Sequence, residues 1–501
     1  MRRFKSLLSS AVILATLSIA PSASAFCGFY VAKADGDLFN DASKVVLARK
    51  GDRTVVTMTN NYEGDPTEFA MVIPVPTTIT RDQVHIADMA AINAVDAFSA
   101  PRLVEYFDDD PCSGPPSYGG GGGDDVIIVT ASKRRDTVHG VAVEESFSVG
   151  EYDIQVLSAK QSGGLVTWLN ENDYKLPSGA ERILSSYIKQ DMKFFVAKVN
   201  LQARDETGED FLRPISIAYE SPKFMLPIRL GTLNARGKQD LIVLALTPEG
   251  KVETTNYRTQ KIPTDKNIPT YLKKPGQFGE FYKAMFDRTV KRAGGSGVFL
   301  EYFWDVESCD PCSAPVPTPQ QLLELGVFWA DDNDISDWDH LLEDLRDEDD
   351  LSYKYSNFSF EPYWGDDVSI TRLHVRYDAK SFPEDLKFHV TGEDEDAYFQ
   401  GRYVMTHPYA SELVNEYEEL AVLTCDAKEY LSEVNNRQRN EVATLSLLTS
   451  WSRDDIRQAM RDNGDMPYSP TFAASVRDKL LKEADDATWW RNIWPYDDDN
   501  E

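Results

Sequence analysis

Histidine and cysteine are both scarce, six and five residues in a chain of 501. The histidines stand singly, with no H-E-x-x-H pair and no second cysteine or histidine pair beside the one C-x-x-C, so no zinc site can be read from spacing. The G-x-S-x-G elbow and the P-loop are missing too, which leaves no written hydrolase nucleophile and no phosphate cradle. Positive charge is short: 52 Lys and Arg face 82 Asp and Glu, for a net of −30. Such a chain repels phosphate backbones and anionic bilayers, so neither nucleic acid nor a membrane surface is an expected partner. Beyond the first 25 residues no apolar run approaches the ~20 residues of a membrane-spanning helix, so no span is expected in the mature chain. What is present is 42% apolar and 11% aromatic residues, ample for a packed core and unlike an acidic disordered chain. The length suggests two or three domains.

The N-terminus has Arg2, Arg3 and Lys5, then the apolar run Ala11–Ala20, then the small-residue tract PSASA ending at Ala25. That order predicts a Sec-type signal peptide over residues 1–25 and a periplasmic or secreted product. The arginine pair lacks the polar lead of a twin-arginine signal, and Phe26 before Cys27 is unlike a lipidation site. Export favours disulfides over metal for Cys27, Cys112, Cys309, Cys312 and Cys425. Five is odd, so at most two bridges form within the chain and one thiol is left over. Cys309 and Cys312 have redox spacing, but Ala314-Pro315-Val316-Pro317 follows instead of a helix that would lower a thiol pKa.

Two stretches echo each other, LVEYFDDDPCSGPP (Leu103–Pro116) and FLEYFWDVESCDPCSAPVP (Phe299–Pro317). The likeness covers little more than strand, acidic turn and Asp-Pro-Cys-Ser, which reads as two strand-to-loop junctions and not as a tandem duplication. Period-two alternation predicts strands on both sides of Lys50-Gly51-Asp52, at Glu68–Pro76, Tyr152–Ala159, Phe194–Leu201 and through Pro214–Thr247. Helical spacing predicts helices at Ala87–Phe98, Leu165–Asn170, Ala180–Lys189 and Phe278–Arg292. Val368–Asp378 and Leu386–Val390 read as a further strand pair. From residue 410 the period is helical. The expected fold is α+β: a strand-rich mixed body with interspersed helices over 26–409, interrupted by a flexible Gly-rich insert near 114–136, and an α-helical C-terminal extension over 410–501 with an acidic tail.

The start CGFYVAKAD, the blocks EFAMVIPVP, VGEYDIQVLSA and PIRLGTLNARGKQDLIVLALTPEG, the CDPC loop, and TRLHVRYD with YFQGRYVMTHP together resemble the bacterial domain of unknown function 2330 family. The resemblance covers roughly residues 26–409. It implies an exported bacterial protein with no established activity. The glycine-tethered insert and the helical extension lie outside the family blocks.

Four features are candidate sites. In TRLHVRYD, alternation puts Arg372, His374 and Arg376 on one strand face. A basic stripe could grip a carboxylate or phosphate, and two flanking arginines should lower the His374 pKa toward a neutral base. The plainer expectation is a solvated face paired with the nearby acids Glu384 and Asp385. Asp332, Asp334, Ser336 and Glu343 take EF-hand positions 1, 3, 5 and 12, but Asp337 stands where the turn needs glycine, so a capped helix start is the simpler reading of this calcium candidate. Val126, Ile127, Ile128, Val129 and Thr130 look like the energy-coupling box by which outer-membrane receptors add a strand to a TonB partner. Trp489, Trp490, Trp494 and Tyr496 read as docking the last helix. With no complete acid, base and nucleophile set, the sequence favours a non-enzymatic cell-envelope binding or structural module without a cofactor, acting on an envelope protein or ligand. The alternative is a periplasmic, hydrolase-like enzyme using the Arg372 face.

Overall fold

The computed structural model describes residues 29–32, 39–40, 43–60, 62–63, 69–109, 141–171, 176–177, 179–200, 202–203, 212–234, 237–306, 314–331, 368–392, 398–409 and 428–464. Seven helices occur among them: α1 Met89–Ser99, α2 Ser162–Glu171, α3 Ala180–Ile188, α4 Gln277–Arg292, α5 Pro319–Glu324, α6 Lys428–Thr449 and α7 Arg453–Asn463. Asp88 caps α1 by accepting from Ala90 N at 2.8 Å, and Thr318 with Gln321 forms a reciprocal capping box on α5, satisfying amides that a helix start leaves unpaired.

The larger sheet runs in the order Thr259–Lys261, Gly297–Asp305, Ser369–Tyr377, Gln239–Thr247, Ser43–Lys50, Arg53–Asn60, Leu212–Glu220, Val84–Ile86, with Phe399–Gln400 added on Gly297–Asp305. Its pairs are antiparallel except where Gln239–Thr247 meets Ser43–Lys50 and where Thr259–Lys261 meets Gly297–Asp305. The hairpin between Ser43–Lys50 and Arg53–Asn60 turns on Gly51 at φ +58°, a conformation that a two-residue loop needs and glycine takes without strain. A second sheet, Phe29–Ala32, Phe69–Val75, Lys193–Val199, Tyr152–Ala159, Val141–Val149, is antiparallel throughout.

The two sheets pack face to face. Val45 and Leu47 of the larger meet Met71, Ile73, Val156 and Phe195 of the smaller in one core. The next residues along the same strands point the other way: Val46, Ala48, Leu244 and Ile370 pack on Ile92, Val95 and Phe98 of α1. Val72, Phe194 and Val196 likewise pack on Leu165 and Leu169 of α2 and Ile183 and Leu184 of α3. The result is helix, sheet, sheet, helix, and it explains why Val45–Ala48 and Phe194–Ala197 are unbroken apolar runs, since strands covered on both faces have no polar side. The α+β expectation holds, with helices at the C-terminal end. Helices α6 and α7 pack Val442, Leu445, Leu448, Ile456 and Met460 beside α4, in an apolar cluster continuous with that core. No helix of the described residues is long and apolar enough to cross a membrane.

One expected pairing does not form. Ser369–Tyr377 lies between Gln239–Thr247 and Gly297–Asp305, whereas Leu386–Val390 joins Met225–Leu226 and Val252–Thr254 in a separate three-stranded sheet. Longer partners with apolar faces on both sides outcompete the neighbour in sequence. Arg102–Phe107 and Arg402–His407 pair in parallel, so the body extends at least to His407.

Candidate functional site

The Arg372 stripe is where the structure gathers ionisable groups. Alternation along Ser369–Tyr377 sends Leu373, Val375 and Tyr377 into the inter-sheet core and turns Arg372, His374 and Arg376 to the opposite face. Asp240 stands opposite Arg376 on one neighbouring strand. On the other neighbour the register shifts between Leu300 and Tyr302. Leu300 faces the inner core, yet Tyr302 pairs with Arg372, so this bulge places both Glu301 and Tyr302 on the Arg372 face. Helices α1 and α4 cover that face, bringing Asp96 and Ser99 from the first and Tyr282, Phe286 and Asp287 from the second.

The groups pair in a ladder. Arg372 donates from Nε to Glu301 Oε2 at 2.7 Å and from Nη1 to Asp96 Oδ1 at 2.6 Å, and Lys44 closes on Asp96 from Ser43–Lys50, two strands away in the sheet. His374 Nδ1 meets Glu301 Oε1 at 2.7 Å, and the Tyr282 hydroxyl donates to the same oxygen. His374 Nε2 lies 3.4 Å from Asp240 Oδ1, an ion-pair contact without hydrogen-bond alignment. Arg376 grips Asp240 with two bonds, 2.7 Å from Nε and 2.6 Å from Nη2, and reaches Asp287 from Nη1 at 2.5 Å. Phe286 lies flat on the imidazole, with centroids 3.7 Å apart and planes 10° from parallel, and the Arg376 guanidinium lies over the Phe286 ring, 5.0 Å from its centroid. Glu301 is only 1% exposed and Arg372 7%.

The electrostatics follow from that geometry. Burial pushes the Glu301 pKa up, but the His374 charge and hydrogen bond and the Arg372 guanidinium outweigh it and hold the carboxyl at about 2. Asp240 is also held at about 2, burial being overcome by the nearby His374 ring and by the bonds and charge of Arg376. Asp96 is lowered, with burial opposed by Arg372 and Lys44. His374 differs from the sequence expectation. Burial favours the neutral ring, but Glu301 and Asp240 together outweigh it, so its pKa is raised, not lowered. The arginines do not repel the imidazolium because each already faces a carboxylate. The plainer expectation also changes: Glu384 pairs with Lys387, and Asp385 accepts from Tyr187 and the Ile228 and Arg229 amides, so neither acid partners the stripe.

Chemically, the arrangement stores charge and binds helices to the sheet. The hydroxyl of Ser99, which touches Arg372 at 3.4 Å, donates to Val95 O within its own helix at 2.7 Å and is not paired with His374. Phe286→Ala should therefore cost about 3–5 kcal/mol, since it empties a buried site and uncovers the imidazole. A fall in urea midpoint with a retained helical spectrum would show it.

The histidines do not converge. His389 stands opposite Glu253, and His407 pairs with Glu105 at 2.8 Å. Among the described residues no group of three or more His, Cys, Asp or Glu is placed to hold a metal. Glu105 also takes Lys273 at 2.8 Å, and Phe107 stacks on His407 at 4.7 Å. The two EYF segments thus each present a glutamate to a histidine under a phenylalanine, one buried and one half-open. Their strands differ, parallel to Arg402–His407 in one case and antiparallel to Ser369–Tyr377 in the other, as expected of two junctions and not of a repeat. All five cysteines, the calcium candidates Asp332, Asp334, Ser336 and Glu343, the Val126–Thr130 segment and the C-terminal tryptophans lie outside the described residues.

Glu301, Asp240, Asp96 and Phe286 were not singled out by sequence. One signal was there: an acid inside the apolar run VFLEYFW and a base inside SITRLHV each require a buried counter-charge. No curated protein and no solved structure matches the chain. A family model does match over residues 21–389, taking in both sheets' long strands and the whole charged stripe. The chain therefore belongs to the family described as an uncharacterized protein conserved in bacteria, domain of unknown function 2330.

Proposed function

We propose that the protein is a non-enzymatic module, exported to the periplasm or beyond, that binds or supports a partner in the cell envelope. One observation carries the reading: Arg372, His374 and Arg376 each end on carboxylates beneath α1 and α4. A stripe bound inward in this way stiffens a scaffold, whereas a hydrolase would need the imidazole beside a nucleophile or a water path. The leader-like first 25 residues support export. The β-branched segment Val126–Thr130 supports a strand-adding contact to a TonB-like partner.

The test combines capture and turnover. Mature chain immobilised against native envelope extract should retain a defined envelope protein, equally for wild type and His374→Gln, with no turnover of ester, phosphoester, amide or glycoside reporters. Turnover by the wild type that a folded His374→Gln variant lacks would overturn the proposal. For the insert, a TonB C-terminal domain should be retained by the intact chain and lost on deletion of residues 117–135; no retention by the intact chain ends that part of the reading.

A further inference from the structure

The strand Arg102–Phe107 runs out of the core along one face. Leu103 packs against the central core, Glu105 is half-buried, and Phe107, next on that face, is 47% exposed. Tyr106 is 51% exposed but belongs to the opposite face. An apolar ring in water is ordinary; what sets Phe107 apart is that it is held. It lies on His407 with planes 16° apart, and His407 Nε2 is fixed by Glu105 Oε2 at 2.8 Å. Asp108 ties the strand end. Its N–H donates to His407 O at 3.0 Å, and its carboxylate accepts from Arg437 of α6 at 3.0 and 2.7 Å and from the Tyr430 hydroxyl at 2.8 Å. We propose that Phe107, with Glu105 and Lys273 at its side, is a sugar-binding platform that takes a neutral pyranose unit of an envelope glycan. The proposal rests on the envelope-binding reading above and names a class of ligand for it.

With one face on His407, the Phe107 ring offers the other to a ligand, and the flat C–H face of a pyranose is the apolar surface that suits it. Glu105 and Lys273 supply the polar partners. Glu105 Oε2 takes both Lys273 Nζ and His407, at 2.8 Å each, while Oε1 has no hydrogen-bond partner among the described residues and is left as an acceptor. Lys273, at the end of the turn Thr270–Lys273, gives one of its three N–H groups to Glu105 and keeps the others as donors. A donor and an acceptor side by side match adjacent hydroxyls, each of which can donate and accept. Charge narrows the class further. One carboxylate against one ammonium selects neither an anion nor a cation, and the net charge of −30 turns phosphates and carboxylates away. Because these side chains are set before a ligand arrives, little ordering is lost on binding.

Calorimetric titration of the full mature chain with a neutral N-acetylglucosamine hexasaccharide tests the platform. The wild type should bind, and the same hexasaccharide should release it from protein-free peptidoglycan sacculi. Phe107→Ala and Lys273→Met should each weaken binding about tenfold, the worth of one aromatic or one charge-assisted contact. Tyr106→Ala, which removes an equally exposed ring from the opposite face, should bind as the wild type does. No binding of the hexasaccharide by the wild type, equal loss in Tyr106→Ala, or binding of adenosine in its place would overturn the platform. The two readings fail separately. A wild type that captures its envelope protein but no hexasaccharide loses the platform and keeps the module; one that binds the hexasaccharide but captures no envelope protein keeps the platform and loses the protein partner.

Discussion

Glu301→Ala is expected to destabilise the protein by about 3–5 kcal/mol, the cost of removing one partner from a buried ion pair. The carboxylate accepts from Arg372, His374 and Tyr282 and is 1% exposed, so the truncation leaves a guanidinium, an imidazolium and a phenol facing a void. Glu301→Gln keeps the shape and one acceptor and should cost less. The half-open counterpart gives the control: Glu105, with its side chain 28% exposed, also binds a histidine and a lysine, but Glu105→Ala should cost about 1 kcal/mol or less, because water replaces what is lost. The same three letters, EYF, thus carry a large effect at one site and a small one at the other. Equilibrium urea unfolding measures both, and equal costs would mean that burial does not set the value of these pairs.

Acid should act through the same carboxylates. Glu301 and Asp240 titrate at about 2 in the folded chain, against ordinary values near 4. Their folded pKa is depressed, so their contribution is present above the unfolded value and is lost as pH falls through the folded one. Glu301 alone then accounts for roughly 3 kcal/mol at neutral pH that disappears between about pH 4.5 and 2. The wild type should lose stability steeply over that window, and Glu301→Gln should lose distinctly less. An identical acid limb in the two proteins would contradict the ladder. Combined with the histidine, whose contribution disappears at the other end, the network predicts greatest stability in mildly acidic solution.

Much of the fold could be read from alternation. KVVLARKGDRTVVTMT shows its hairpin because Gly51 punctuates two apolar, β-branched runs of strand length, and Ala87–Phe98 shows its helix because Ala91, Val95 and Phe98 recur on one face. Partner choice was not legible in the same way. Val368–Asp378 lies close in sequence to Leu386–Val390, yet it pairs with strands that begin some 130 and 70 residues earlier, a choice made by two-sided apolar matching that no local window contains. The site divides along the same line. That Arg372, His374 and Arg376 share a face followed from strand geometry. That the face is covered did not, since the cover comes from Phe286 and Asp96 on helices elsewhere, and the key acid is aimed by a one-residue bulge at Glu301. The sign of the His374 shift differs from the sequence expectation for this reason: the arginines are visible in sequence and the carboxylates that neutralise them are not.

The central claim is that His374 is a member of a buried charge ladder and not a group available for chemistry. A double-mutant cycle on Glu301→Gln and His374→Gln, read by urea unfolding near pH 6, tests it most directly. The account predicts that each single variant is destabilised and that the pair is coupled by about 1.5–3 kcal/mol, as a charge-assisted buried hydrogen bond requires. Additivity to within about 0.5 kcal/mol, with His374→Gln as stable as the wild type, would contradict it.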